Sequence, residues 1–198
     1  MDKTIRPVAA FTFSYLAIAT FFAFRLQNWE FVFYIIVVLV LAAFIATLHR
    51  RVKLSAGALW ALSVWGLLHM MGGLVPVPES WPINGDKRVF YSLWIIPQYF
   101  KFDQFVHAYG FGIGTWVSWQ TLHRLLPKSL PTFGILVLCV LAGMGLGALN
   151  EIIEFVATLL IPNTNVGGYE NTGWDLVSNM VGCIVAAAII WHFDKRRS

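Results

Sequence analysis

Six long apolar runs, separated by short polar stretches, make up most of this chain. They cover residues 8–24, 31–48, 54–75, 105–122, 133–160 and 174–191. A helix rising about 1.5 Å per residue needs roughly 17–25 apolar residues to cross a hydrocarbon core of about 30 Å, and each run falls near or above that length. The fifth exceeds it and must tilt or project beyond the bilayer. The pattern predicts an all-α, polytopic membrane helix bundle of about six transmembrane helices, with residues 1–198 forming a single membrane-embedded domain. The first run follows Lys3 and Arg6 as a signal peptide would. It lacks a small-residue cleavage site, so a retained helix is expected.

Composition agrees. Of the 198 residues, 58% are hydrophobic and 12% charged, against about 25% charged in a soluble domain. The net charge of +4 does not point to nucleic acid, because the basic residues cap apolar runs instead of forming a stripe. Many of the nine Trp lie near run ends, where indoles anchor in the interface. Cys139 and Cys183 lie inside apolar runs and read as buried small hydrophobes.

Lys and Arg set orientation. The N-tail (Lys3, Arg6), second loop (Arg50, Arg51, Lys53), fourth loop (Arg124, Lys128) and C-tail (Lys195, Arg196, Arg197) hold ten of the fourteen basic residues. Arg25, Lys87, Arg88 and Lys101 occupy the other side. Both termini are therefore expected in the cytoplasm of a bacterial inner-membrane protein. Reporter fusions at Ser198 and within 166–172 test this, and a periplasm-active reporter at Ser198 would overturn it.

On that topology, six ionisable residues fall in or beside the apolar runs at one level, near the extracytoplasmic face. His69 lies about 24 Å beyond Lys53, and His107 about 6 Å deeper than Asp103, which opens the fourth run. Glu151 and Glu154 are near the outer end of the fifth run, and Asp175 opens the sixth, followed by Asn179. A charge at the bilayer centre costs roughly 2.5–3.5 kcal/mol on insertion scales, so each is a functional candidate. The i,i+4 or i,i+3 spacings of Asp103/His107, Glu151/Glu154 and Asp175/Asn179 put each pair on one helix face. Gly110 and Gly114, then Gly143, Gly145 and Gly147, and Gly182 continue those faces, predicting close helix contacts.

Carboxylates and imidazoles from neighbouring helices form metal sites in bundles. The expected ligands are His69, Asp103, His107, Glu151 and Glu154, and the expected catalytic acids and bases are Glu151, Glu154 and Asp175. A mixed N/O shell suits Zn, Mn or Fe, and Mg where the histidines stand outside the ligand shell. The metal-free alternative is a set of crowded carboxylates sharing a proton as an acid/base pair or relay. Plainer readings exist. Asp103 and Asp175 could cap their helices, His69 could bond a backbone carbonyl, and Glu30, Glu79, Asp86, Glu170 and Asp194 read as solvated loop charges. His49, His123 and His192 read as interfacial. Glu151 with Glu154 resists such readings, because mid-helix carboxylates neither cap nor attract one another.

Two connections on the same side stand out. The Pro- and aromatic-rich stretch 76–102 is long for a structureless loop, and its part FYSLWIIPQYF is expected as an interfacial helix or lid. PNTNVGGYENTG reads as a polar turn.

Three motifs resemble the VanZ-like and YjdF-like inner-membrane families: FDQFVHAYGF with Asp103 and His107, GALNEIIEF with Glu151 and Glu154, and WDLVSNMVG with Asp175, Asn179 and Gly182. LHMMGG, carrying His69, resembles the YjdF-like side. The likeness covers about residues 65–190. The chain departs from the VanZ-like pattern in having Gln104 after the Asp, Glu154 where Gln is frequent, and no Arg between Glu154 and Trp174. It departs from the YjdF-like pattern in having Asn179 where a second Asp is frequent. The resemblance implies an integral inner-membrane protein. VanZ-like proteins are associated with glycopeptide resistance, a link carried only by analogy.

Three function classes follow. The first is a metal-dependent intramembrane hydrolase or transferase acting on a lipid or lipid-linked substrate, with 76–102 admitting or covering it. The second is a transporter or carrier binding an ion or proton at the carboxylates. The third is a non-enzymatic membrane protein, structural or of antibiotic or envelope-stress resistance. Transporter sites usually lie near the midplane, and hydrogen bonds between membrane helices average only about 0.6 kcal/mol. Both points favour the first class.

Overall fold

The computed structural model describes residues 5–126 and 130–194. Lys3, Lys128, Lys195, Arg196, Arg197 and Ser198, used above for orientation, lie outside the described residues. Among the described residues there are six long helices: α1 (Ile5–Arg25), α2 (Trp29–Val52), α3 (Ala56–Leu74), α4 (Phe102–Leu125), α5 (Phe133–Leu160) and α6 (Tyr169–Asp194). The protein is an all-α polytopic membrane bundle.

Local chemistry sets the helix limits. Asn28, Ser55 and Thr132 each accept a hydrogen bond from a first-turn N–H of α2, α3 and α5, satisfying donors a helix start leaves open. Lys53 ends α2 in the left-handed region at φ 55°, its N–H donating back to His49, which fits the tight connection to α3.

Five of the helices are long and apolar enough to cross a membrane; α4 is the exception. Its polarity follows from its position. It packs on α6 most extensively, then on α5 and α3, and half of its face is buried against them. An internal helix meets protein rather than lipid, so it can carry Asp103, Gln104, His107 and Gln120. The lipid-facing surface falls to Phe, Leu, Ile and Val of the other helices.

Glycine makes the α4–α6 contact a backbone contact. A Cβ on Gly112 would stand 2.9 Å from the Gly182 carbonyl oxygen, and one on Gly182 would run into the Ala108 carbonyl. Gly143 and Gly147 of α5 are filled against Thr115, Cys183 and Asn179. Gly145 is not on that face, since nothing lies within 4 Å of where its Cβ would be. The 143/147 pair is i,i+4, whereas 145 turns about 200° away from 143.

Stretch 76–102 is neither an interfacial helix nor structureless. It folds as a short 3-10 turn, Phe90–Ser92, followed by an antiparallel hairpin of β1 (Trp94–Ile96) and β2 (Phe100–Lys101). The turn is chemically specified. Pro97 occupies its second position, Gln98 takes φ 67°, and Tyr99 N–H donates to Ile96 C=O at 3.0 Å, as a type II turn requires. The extended Trp-Ile-Ile run favours strand over helix. The second connection is shorter than expected, because α6 starts at Tyr169 and absorbs YENTG. Asp175 therefore sits nearly two turns inside α6 and does not cap it. Asp103 does not cap α4 either; Lys101 is the cap residue, and its N–H donates to Gln104 Oε1 at 2.8 Å.

Candidate functional site

The site lies at the end of the bundle where α2, α4 and α6 begin and α3 and α5 finish. Its centre is His107, 5% exposed. His107 Nδ1 stands 3.1 Å from Asn179 Oδ1 across the close α4–α6 contact. In the tautomer that donates this hydrogen bond, Nε2 keeps its lone pair. Nε2 faces Asp103 Oδ1 at 3.7 Å and Glu154 Oε1 at 3.9 Å, while Glu151 Oε1 lies 3.6 Å from Nδ1. Asn150 donates to Glu154 Oε1 at 2.7 Å from one turn earlier on α5.

Two groups have ligand atoms all within 4.8 Å of one another: Asp103, His107 and Asp175; and His107, Glu151 and Glu154. Five of the six candidate residues thus converge, with His107 common to both groups. His69 is not in either group. Its Nδ1 is hydrogen-bonded to the Tyr91 hydroxyl, and its ring is packed among Phe31, Tyr34 and Tyr91. It faces the same polar cavity, of about 290 Å³, whose lining includes Glu30, Tyr34, Lys101, Asp103 and Glu154. Asp175 Oδ1, Glu151 Oε1 and Asn179 Nδ2 are buried without a hydrogen-bond partner.

Four participants were not legible as such in the sequence. Lys101, counted there as a loop charge, is buried; its ammonium is 3.7 Å from Asp103 Oδ2 and hydrogen-bonded to Asn171. Asn171 also donates to Asp175 Oδ2 at 2.5 Å and to Asp103 Oδ2 at 3.4 Å. Its signal was available, since Asn171, Asp175 and Asn179 form a continuous i,i+4 strip once α6 is extended by a turn. Tyr91 comes from the 3-10 turn; burial and nearby carboxylates push its hydroxyl pKa well above the usual tyrosine range. Glu30 is not a solvated loop charge. It is 3% exposed, accepts the Asn165 N–H at 2.7 Å and lies 4.0 Å from Lys87. Asp194 likewise accepts the Trp119 indole N–H at 2.6 Å. His49 is buried, and Cys139 and Cys183 are free thiols, buried as expected.

Asn171 is the joint between these charges, so its loss should be felt as lost stability. Asn171→Leu leaves Asp175 Oδ2 without its hydrogen-bond donor and Lys101 with only its 3.7 Å approach to Asp103, at about 1–3 kcal/mol per unsatisfied group. A clear fall in the melting temperature of detergent-solubilised protein is expected. A change below about 0.5 kcal/mol, typical of surface positions, would show that the joint is not structural.

A family model described as "Predicted membrane protein (DUF2238)" matches residues 7–196. The chain belongs to this family. The DUF2238 match spans all six helices, so the membrane assignment applies to the whole bundle. A Thermotoga maritima protein described as uncharacterized is 29% identical over 94 residues, which is 47% of this chain and 49% of that protein. The match thus spans about half the length of that relative. No solved structure matches the chain.

Proposed function

We propose that this protein is a divalent-metal-dependent intramembrane enzyme, a hydrolase or transferase, acting on a lipid or lipid-linked substrate at the extracytoplasmic face of a bacterial inner membrane. The observation that carries the proposal is the set of ligand atoms around His107. Asn179 orients the ring so that Nε2 is free to ligate. Carboxylates flank that nitrogen at 3.7 and 3.9 Å, gaps that ligands at about 2.0–2.2 Å from a shared ion can close with small movements. Asp175 Oδ1 has no hydrogen-bond donor, and Glu151 Oε1 has only the 3.6 Å approach of His107 Nδ1; a native interior seldom leaves such buried acceptors unexplained.

Asp103, His107 and Glu154 would hold the ion, with Asp175 and Glu151 completing its surroundings; Zn, Mn or Fe suits this donor set, and Mg suits its carboxylates. Such an ion supplies Lewis-acid polarisation and a nucleophilic water. The chain's own residues do the rest. Glu151 exchanges protons with the reacting groups, and Asp175, fixed through one oxygen by Asn171, offers the other as acceptor. Lys101 holds a fixed positive charge at the cavity wall. Asn84, Gly85, Tyr91 and Ser92 of the 76–102 stretch line the cavity. The YjdF-like and VanZ-like likeness of the three motifs fits the same helices. The ten-to-four distribution of basic residues supports placing both termini in the cytoplasm.

The test is elemental analysis of protein purified in detergent without chelator, with the Glu151→Gln/Glu154→Gln double variant as control. It is paired with lipid profiling of membranes containing wild type or His107→Ala. Stoichiometric metal lost in the double variant, and a lipid species that changes only with wild type, are expected. Wild-type protein without stoichiometric Zn, Mn, Fe or Mg would overturn the metal-dependent reading and leave an acid/base or proton-binding carboxylate site.

A further inference from the structure

A second, apolar cavity of about 1090 Å³ runs along the bundle and is lined by residues of α1, α2, α3, α4 and α5. Its walls include Val38, Ala42 and Ile45 from α2 and Leu138, Ala142 and Leu146 from α5. At the site end Ala157 shares one core cluster with Phe31, Tyr34 and Ile35, and Ile153 packs against that cluster. Tyr34 and His69 line both this cavity and the polar one. They stand between an apolar cleft and a carboxylate-lined chamber.

We propose that this cleft seats one hydrocarbon chain of a membrane lipid, with the head of that lipid reaching the polar cavity past Tyr34 and His69. The inference rests on the reading of the polar site as one that acts on a lipid, and it names the part of the substrate that is recognised. Three observations carry it. The walls belong to membrane-spanning helices, so the medium at the open side is lipid and not water. Phe44, Leu138, Leu146 and Leu149 lie at the opening and are exposed. Polar side chains are a minority along the cleft, and most are already bonded: Thr12 and Ser63 to each other at 2.6 Å, Ser118 and Thr121 to carbonyls of their own helix, and Asn150 to Glu154; the Trp65 indole N–H is the buried donor left over. From Tyr34 to His49, which mark its ends on α2, the cleft is about 22 Å long, more than the roughly 15 Å that one leaflet contributes to a hydrocarbon core. It therefore holds an extended chain lengthwise rather than a small apolar molecule. An acyl chain and an isoprenoid chain share this chemistry.

The test uses full-length protein in phosphatidylethanolamine/phosphatidylglycerol vesicles carrying a trace of one of two photoactivatable probes, a diazirine-acyl phospholipid or a diazirine-isoprenyl phosphate. Labelled positions are mapped by mass spectrometry. Labelling concentrated on the α2 and α5 walls relative to the outward face of α6 at Ile184 and Val185, and competed by unlabelled lipid, is expected. The probe that labels the cleft identifies the source of the chain. Ala42→Trp and Ala142→Trp fill the cleft from opposite walls and should lower its labelling by about tenfold, whereas Ala188→Trp, on the exposed side of α6, should not. Metal content and melting temperature, measured on the same preparations, report folding. Equal labelling of cleft and outward faces, unchanged in folded Trp variants, overturns the chain seat whatever the metal content. Concentrated cleft labelling in protein without metal upholds the seat and removes only the metal reading.

Discussion

Glu154→Gln should strip the protein of bound divalent metal while leaving it folded in the membrane. The amide preserves the side chain's shape and can still accept the Asn150 hydrogen bond, now 2.7 Å long. It removes the anionic oxygen 3.9 Å from His107 Nε2, and metal ligation depends on such deprotonated donors. Mutations of residues that merely orient ligands weaken metal sites by about 10–100-fold, so loss of a ligand should reach or exceed the top of that range. A purely structural carboxylate cluster predicts the opposite result. There Gln would be neutral or stabilising, because it relieves repulsion between Glu151 and Glu154 at no loss of shape. Metal content and melting temperature measured together separate the two: metal lost with fold retained supports the site, whereas higher stability with no metal in either protein sinks it.

The bundle was legible because lipid imposes a simple rule. Every backbone group must be satisfied within its own segment, so an apolar run of sufficient length is a helix. All six expected runs became helices with ends shifted by a few residues. The largest shift, at the start of α6, occurs where polar residues face inward. Hydropathy sees Tyr-Glu-Asn-Thr-Gly as a turn, yet Asn171 makes this stretch helical in context by bonding Asp175, Asp103 and Lys101. The convergence of Asp103, His107, Glu151, Glu154 and Asp175 was readable from helix-face spacing combined with depth. Lys101, Glu30 and Tyr91 were not, because their roles arise from contacts across long sequence separations. Glu30 meets Asn165 only when the 162–168 segment folds over α2, and Tyr91 reaches His69 only because 76–102 turns back on α3. His69 shows the converse. Its depth placed it correctly at the cavity, but its Tyr91 bond holds it outside both ligand groups.

Gly182→Ala should damage the protein far more than Gly145→Ala, although both add one methyl group to a glycine on a membrane helix. A Cβ at 182 meets the Ala108 carbonyl, a backbone atom that cannot rotate away, and Gly112 opposite already lies close to the Gly182 carbonyl. The only relief is for α4 and α6 to move apart. That separation would stretch the 3.1 Å contact between His107 and Asn179 and pull Asp175 away from Asp103. Overpacking of this kind typically costs about 1–3 kcal/mol, and a backbone obstacle puts the expected value at the upper end. A marked drop in melting temperature, with a parallel loss of metal, is the expected result for Gly182→Ala. At Gly145 nothing lies within 4 Å, so the methyl group projects into lipid and the helix gains up to about 1 kcal/mol from the better propensity of Ala. Near-equal melting temperatures for the two variants would mean that the α4–α6 backbone contact does not hold the site together. The asymmetry follows because two of the three helices that carry the site, α4 and α6, touch through glycine, and His107 meets Asn179 only at that spacing.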